Sequence, residues 1–167
     1  MSAPGIKVVL PSTPADAKGL LKASIRDDNP VLFFEPLSLL GDKGEVPDEE
    51  FIVPLGKADI KRSGNAVTVI GVGATVKMAL EAADTLAGEG IEAEVIDVRT
   101  IAPLDMEPIA TSVQKTGRAI IADADWTFCG TSAELSAQIT ESCFSSLKAP
   151  PERIGFAPVP CPTTRPL

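Results

Sequence analysis

The sequence predicts an α/β protein with a mostly parallel sheet and helices on both of its faces, preceded by a βαβ fragment of a second α/β domain. Two stretches support this prediction. Residues 66–105 contain the β-branched run VTVIGVG, a helix with apolar residues on one face, and a second strand in EAEVIDVRT. Residues 5–36 repeat this order with IKVVLPS, a helix and VLFFEP. Because a helix connects the strands of each pair, both pairs should be parallel.

The starts of these two helices are indicated by capping residues. In the first helix, Thr13 is the expected N-cap and Pro14 takes the first helical position. Asp16 suits the positive end of the same helix. In the second helix, Thr75 is the expected N-cap.

The remainder of the chain continues the alternation of helices and strands. Residues 106–115 predict a helix, RAIIADA a strand and ADWTFCG a loop. Thr131, with Glu134 three residues later, forms a capping-box pattern that begins another helix. Cys143 lies on the apolar face of that helix, so we expect it in the core. A last strand should begin near Arg153.

An acidic connector separates the two α/β segments. Residues 37–57 are rich in Asp and Glu and contain scattered Gly and Pro, which favours a solvated linker over an acidic docking loop. We therefore predict one domain over residues 1–56, which includes the connector, and a second over residues 57–167.

The composition argues against several classes of partner. The chain has 167 residues and a formal charge of −8, which disfavours nucleic acid and anionic membrane surfaces. No window is apolar for long enough to cross a bilayer, and the stretch MSAPGIKVV lacks the basic region and apolar core of a secretion signal, so we expect none there. Three widely spaced cysteines fit reduced thiols in the cytoplasm better than disulfides or a zinc site.

The chain contains no histidine and no tyrosine. This excludes Ser-His-Asp and Cys-His catalysis and imidazole metal ligands within the chain. Any chemistry performed by the chain alone must use carboxylates, Lys, Arg, Ser, Thr or Cys. A binding or assembly role is therefore favoured over a self-sufficient enzyme.

Ligands of parallel α/β sheets meet the chain where strands end. The residues at predicted strand ends form a candidate ligand or interface face: Gly71, Gly73, Asp97, Arg99, Asp123, Asp125 and Trp126. Asp123 and Asp125 together suit a cation or acid–base chemistry, although turn formation before a helix is the favoured interpretation. An exposed Trp126 would mark an interface, whereas a buried one would cover the sheet end.

The two glycines also suggest a nucleotide site. Gly71 and Gly73 begin a G-x-G-x-x-G pattern after a strand, but Val76 occupies the third glycine position. Two glycines are common wherever a chain reverses sharply, and we favour that interpretation. A stand-alone module that binds a small anion or nucleotide at the Gly71–Thr75 turn remains the alternative function.

Several segments, taken in order, resemble the beta subunit of the thiamine-diphosphate-dependent 2-oxoacid dehydrogenases of the pyruvate, branched-chain and acetoin type. The segments are PSTPADAKGLLKASIRDDNPVLFFEP, VPLGKADI, VTVIGVG, EAEVIDVRTIAPLD and TGRAIIADA. The resemblance implies that residues 1–56 are the C-terminal part of a pyrimidine-binding domain plus a linker. It implies that residues 57–167 are a transketolase-like C-terminal domain.

The resemblance also implies a function for the whole enzyme, an oxidoreductase that decarboxylates a 2-oxo acid and passes the acyl group to lipoamide. The family's cofactor-activating glutamate has no counterpart here, so we assign no catalytic and no cofactor-binding residue. Thiamine diphosphate and Mg²⁺ are expected in the full enzyme and not on this chain alone. The implied partners are the alpha subunit, a second beta subunit and the lipoyl-bearing acyltransferase core, within an oligomer.

One family site matches this sequence residue by residue. The turn IRDDNP resembles the place where such subunits hold a structural potassium ion, with Ser24, Ile25, Asp27 and Asn29 as the matching ligands. A plain helix stop is the alternative. At the end of the RAIIADA strand the sequence departs from the family over residues 123–126, which read DADW, and residues 129–131, which read CGT; this leaves substrate and partner preference open.

Overall fold

The computed structural model describes residues 3–160, which form two β-sheets and four α-helices. The strands are β1 (Lys7–Val9), β2 (Val31–Phe33), β3 (Asp59–Arg62), β4 (Val67–Gly71), β5 (Ala93–Asp97), β6 (Thr100–Ala102), β7 (Ala119–Trp126) and β8 (Glu152–Phe156). The α-helices are α1 (Pro14–Ile25), α2 (Thr75–Gly88), α3 (Met106–Thr116) and α4 (Thr131–Cys143). Two 3₁₀ turns span Leu37–Leu39 and Phe144–Ser146.

The larger sheet has the strand order β3-β5-β4-β7-β8. Strand β4 pairs in parallel with β5 and β7, and β7 pairs in parallel with β8. Only the edge strand β3 runs antiparallel, against β5. The central strand β4 is buried along its whole length, as its run of β-branched residues predicts. The predicted parallel βαβ unit over residues 66–105 is confirmed.

Helices cover both faces of the larger sheet, as predicted. On one face α2 places Ala79 and Ala83 against Val69 and Val95. On the other face α3 and α4 pack against alternate residues of the same strands, because successive side chains of a strand point to opposite faces. Cys143 lies in this second core with 1% of its surface exposed, which confirms its core position.

The smaller sheet has the order β2-β1-β6 and joins the two halves of the chain. Strand β1 is parallel to β2, as expected for a βαβ unit, but its other neighbour is the antiparallel strand β6. Strand β6 follows β5 directly in sequence, so the second half of the chain contributes a strand to the sheet of the first half. Strand β2 is the outer strand of this sheet within the described residues.

Two of the three predicted helix caps are wrong. Thr13 caps α1 as expected, since its Oγ1 accepts a hydrogen bond from the Asp16 amide at 3.1 Å. Thr75, however, is the first residue of α2, and its hydroxyl serves the preceding turn instead of the helix start. Helix α4 is capped by Gly130, without a side-chain bond, and not by Thr131. A Cβ at position 130 would lie 2.4 Å from the Trp126 carbonyl oxygen, so only glycine fits there.

The structure also corrects the predicted loop after RAIIADA. Strand β7 continues through Trp126, and β8 pairs with it as far as Phe156. Asp123 and Asp125 therefore lie in a strand, and their interpretation as turn formers is wrong. The short strands β3 and β6 were not predicted. Within residues 3–160, no helix is long and apolar enough to cross a bilayer.

Candidate functional site

The predicted strand-end residues Asp97 and Arg99 lie where residues 3–36 meet the carboxyl end of β5. Asp97 is fully buried. Ser12, in the loop before α1, donates its hydroxyl hydrogen to Asp97 Oδ2, and the Arg99 amide donates to Oδ1 at 3.0 Å. The amino-terminal segment is therefore hydrogen-bonded to the carboxyl end of β5 in the larger sheet.

Two cations and two further carboxylates surround Asp97. Lys61 Nζ lies 2.8 Å from Oδ2 of both Asp16 and Asp59, and 3.7 Å from Asp97 Oδ2. Arg99 Nη2 lies 2.7 Å from Asp16 Oδ1 and from Asp59 Oδ2. We call these five residues the ion cluster. Because they come from α1, β3 and the end of β5, the ion cluster joins the two halves of the chain.

Burial sets the protonation behaviour of the ion cluster. Burial raises the pKa of Asp97 from 3.8 to about 6, against the opposing effects of the Ser12 hydrogen bond and the Lys61 charge. Burial also acts to raise the pKa of Asp16, but hydrogen bonds from Lys61 and Thr13 outweigh it and lower that pKa. Both Asp16 and Asp97 are therefore ionised at neutral pH, and the carboxylates outnumber the cations by three to two.

Arg99 holds an unusual backbone conformation at this junction. Its φ of 55° lies in the left-handed region that non-glycine residues seldom adopt. The bend lets the Arg99 carbonyl accept a hydrogen bond from the Leu10 amide at 2.8 Å, which leads the chain from β5 into β6. The backbone and the guanidinium of Arg99 thus both bind the amino-terminal segment.

The ion cluster is built as a structural joint. All three of its carboxylates contact a cation, and Asp16 and Asp97 are further occupied by Thr13 and Ser12. The expectation that the chain carries no catalytic residue stays a prediction.

The Gly71–Thr75 turn is occupied by internal contacts. Thr75 Oγ1 accepts from the Val72 amide at 2.8 Å and donates to the Ala122 carbonyl at 2.6 Å. The Val76 amide donates to the Gly73 carbonyl at 3.2 Å. A Cβ at Gly71 would lie 2.8 Å from the Val76 backbone, so this glycine permits close packing of strand and helix. These contacts occupy the amides of Val72 and Val76, which could otherwise help to bind an anion.

Two of the other strand-end residues, Asp123 and Asp125, line a cavity of about 470 Å³ between the two sheets. Asp123 and Asp125 lie on its wall beside the start of α4, and Glu35 faces it from the end of β2. Trp126 is 41% exposed, and its ring meets Phe156 edge to face at 6.4 Å. Burial, followed by the Asp125 charge, raises the pKa of Asp123. An acidic cavity of this kind repels phosphate groups.

The predicted potassium turn is held by protein contacts. Asp27 Oδ1 accepts hydrogen bonds from the backbone and side chain of Asn29, at 2.9 and 3.0 Å, and Asp27 Oδ2 pairs with Lys7. Hydrogen bonds from Lys7 and Asn29 lower the pKa of Asp27 to about 2. The Ser24 hydroxyl donates to the Leu20 carbonyl at 2.7 Å. Backbone carbonyls, including that of Ile25, are the donors left for a cation.

Sequence reasoning missed three members of the site. Ser12, Asp59 and Lys61 lie far from Asp97 in the chain, and no spacing pattern connects them to it. The alternation of charges in ADIKR between two apolar segments was the available signal, because a buried cation in an edge strand requires carboxylate partners. Asp16 was noted only for its position at the helix start.

Two family models match the chain. The transketolase C-terminal domain matches residues 56–166, and the transketolase pyrimidine-binding domain matches residues 1–43. A solved structure described as a split-gene transketolase, inactive beta4 tetramer, superposes with a TM-score of 0.75 at 24% identity, and the match covers 95% of this chain and 50% of that chain. This structural likeness supports the fold.

Curated relatives give a closer sequence match. From Bacillus subtilis (strain 168), the acetoin:2,6-dichlorophenolindophenol oxidoreductase subunit beta is 49% identical over 96% of this chain and 47% of its own length. The pyruvate dehydrogenase E1 component subunit beta of the same organism is 49% identical over 90% of this chain and 47% of its length. The 2-oxoisovalerate dehydrogenase subunit beta of the same organism is 46% identical over 94% of this chain and 48% of its own length. The chain thus spans about half the length of the curated relatives it matches. It belongs to the transketolase C-terminal domain family and is a homologue of the carboxyl-terminal portion of 2-oxoacid dehydrogenase beta subunits.

Proposed function

We propose that the chain acts within a thiamine-diphosphate-dependent 2-oxoacid dehydrogenase and supplies assembly surface, not catalytic residues. The observation that supports this most directly is the unfinished apolar face of the smaller sheet. Leu32 of β2 and Phe34, which follows β2, are each at least half exposed, and α1 exposes Ile25. A three-stranded sheet with such a face requires a covering element.

The covering element that we propose is the remainder of a pyrimidine-binding domain. Residues 1–43 match that family model, and the matched relatives are about twice as long as this chain. Added polypeptide would extend the smaller sheet from β2 and bury Leu32. Residues 1–56 would then complete the first domain, and residues 57–167 would form the second.

Thiamine diphosphate supplies the electron sink for decarboxylation when it is bound in the complete enzyme. The described residues do not fit its diphosphate group, because the cavity at the strand ends is lined by Glu35, Asp123 and Asp125. We therefore place the cofactor and its Mg²⁺ on polypeptide outside residues 3–160. The alpha subunit, a second beta subunit and the lipoyl-bearing acyltransferase core are the proposed partners. Free thiols at Cys129 and Cys143 suit a reducing compartment such as the cytoplasm.

Reconstitution tests this proposal. The full chain is mixed with its alpha subunit and with a polypeptide covering the remaining beta-subunit sequence, and 2-oxo-acid-dependent reduction of dichlorophenolindophenol is followed. We expect turnover only from the complete mixture. The substitution Leu32→Asp should abolish it, because it places a charge on the face that the added polypeptide would bury. Met78→Asp is the matched control, because Met78 is 66% exposed on α2. Turnover by the chain alone, or micromolar binding of thiamine diphosphate to it in calorimetry, would overturn the proposal.

Potassium at the α1 turn is a further part of the proposal. Carbonyl oxygens of Ser24 and Ile25 would hold the ion, with Asp27 and Asn29 fixing the turn around it. A ligand that binds only the folded state raises its stability. We expect a higher melting temperature in potassium chloride than in choline chloride at equal ionic strength. Equal melting temperatures in the two salts would contradict a potassium site at this turn.

A further inference from the structure

The acidic cavity between the two sheets contains a buried carboxylate without a complete set of partners. Asp123 is 8% exposed, and its Oδ2 has no hydrogen-bond partner among residues 3–160. The Ser132 hydroxyl, on the first turn of α4, is also buried and without a partner there. Buried polar atoms in native proteins are nearly always paired, so the unpaired oxygen of Asp123, a residue of the cavity wall, points to a group that completes it.

The backbone explains why one side of the Asp123 carboxylate remains open. The amides of Ser132 and Ala124 bind the carboxylate, so it already serves the start of α4. The unpaired Oδ2 lies just beneath the cavity wall.

The lining of the cavity selects the charge and shape of a ligand. It carries three carboxylates and no lysine or arginine: Glu35, Asp123 and Asp125. None of the three forms an ion pair within the part of the chain that the structure describes. The rest of the wall is mainly apolar, with Leu10 and Val72 prominent in it.

A metal ion fits this arrangement poorly. No group of three or more His, Cys, Asp or Glu side chains within residues 3–160 is placed to hold a metal. A hard divalent cation takes six to eight oxygen ligands, or keeps several waters of its own. An organic cation needs fewer, because its charged head binds one or two carboxylates and its hydrocarbon stem packs against apolar side chains.

We propose that this cavity binds an alkylammonium or alkylguanidinium group, with the cation at Asp123 and Asp125 and the stem against Leu10 and Val72. The same chemistry is carried by a free amine and by a lysine or arginine side chain of a partner subunit. The inference rests on the cavity of this chain and is independent of the dehydrogenase assignment. A failed reconstitution would not count against the cation site, and a failed titration would not count against the dehydrogenase assignment.

An NMR titration of the full chain tests the site. The probe is n-butylammonium, and the amides of Ala124 and Ser132 report on binding. We expect saturable shifts in the millimolar range, no saturable shift with n-butanol or butyrate, and affinity about tenfold weaker in Asp123→Asn, which removes one charge-assisted hydrogen bond. Asp125→Asn should also weaken binding. Because Asp125 is exposed, this second variant should fold normally and tests the site even if Asp123→Asn misfolds. Asp48→Asn, in the connector, is the matched control and should bind as the unmodified chain does.

Two further ligands identify the source of the cation. Nα-acetyl-lysine N-methylamide represents a partner's side chain, and 1,4-diaminobutane represents a free amine. Saturable binding of either supports the site, and the tighter of the two names its natural class. The inference is overturned if n-butanol shifts the same amides as strongly as n-butylammonium. It is equally overturned if Asp123→Asn and Asp125→Asn both bind the probe with unchanged affinity.

Discussion

Replacement of Arg99 by alanine is expected to lower the free energy of unfolding by about 3 kcal/mol, the usual cost of removing one partner from a buried ion pair. Arg99 contacts both Asp16 and Asp59, and the Asp16 side chain is only 3% exposed. Without the guanidinium, Lys61 is the one cation of the ion cluster that faces three carboxylates. Alanine and arginine both carry a Cβ, so the left-handed backbone at position 99 is equally strained in the two chains.

Urea unfolding followed by circular dichroism measures this change. Arg26→Ala is the matched control, because Arg26 also pairs with a carboxylate, Glu50, but both side chains are more than half exposed. Exposed pairs contribute little, so the control should unfold close to the unmodified chain. If the two variants proved equally stable, the ion cluster would not be the joint that we describe.

Replacement of Asp97 by asparagine is expected to change how stability depends on pH. The pKa of Asp97 is about 6 in the folded chain and near 3.8 when exposed, so between these values the folded state binds more protons than the unfolded state. This residue's contribution to stability is therefore greatest below pH 4 and declines as the pH rises through 6. By the relation of about 1.4 kcal/mol per pKa unit, the decline is at most about 3 kcal/mol.

The test compares the two chains at pH 4.5 and pH 7.5 by urea unfolding. Asparagine still accepts a hydrogen bond from the Arg99 amide and keeps a polar group beside Ser12, so the fold should be retained. The variant should gain stability relative to the unmodified chain on going from pH 4.5 to pH 7.5. A constant difference between the chains at the two pH values would contradict the raised pKa of Asp97.

The fold could be predicted from the sequence where local pattern and tertiary structure agree. The run VTVIG has an uninterrupted apolar and β-branched sequence, and it became the fully buried central strand. The helix between its parallel neighbours showed apolar residues at helical spacing, as Ala79 and Ala83 illustrate. Each of these patterns is encoded within a single strand or helix.

The edge strands could not be predicted in the same way. Strand β3 reads DIKR and β6 reads TIA, and neither has the length or the alternation that indicates a strand. Both exist because β5 and β1 offer open edges for antiparallel pairing. The ion cluster could not be predicted from local sequence either, because its members meet only through tertiary structure. Asp97 was singled out as a strand end, whereas Lys61 became visible only once β3 had been placed beside β5.

The exchange of β6 between sheets bears on how the two halves of the chain can separate. Thr100–Ala102 belongs to the second half by sequence but is hydrogen-bonded to β1 of the first. A protease that cleaved the exposed connector would therefore release no fragment, since the β1–β6 ladder and the ion cluster would still hold both pieces. We therefore expect the two halves of the chain to unfold together, because the β1–β6 ladder and the ion cluster join them.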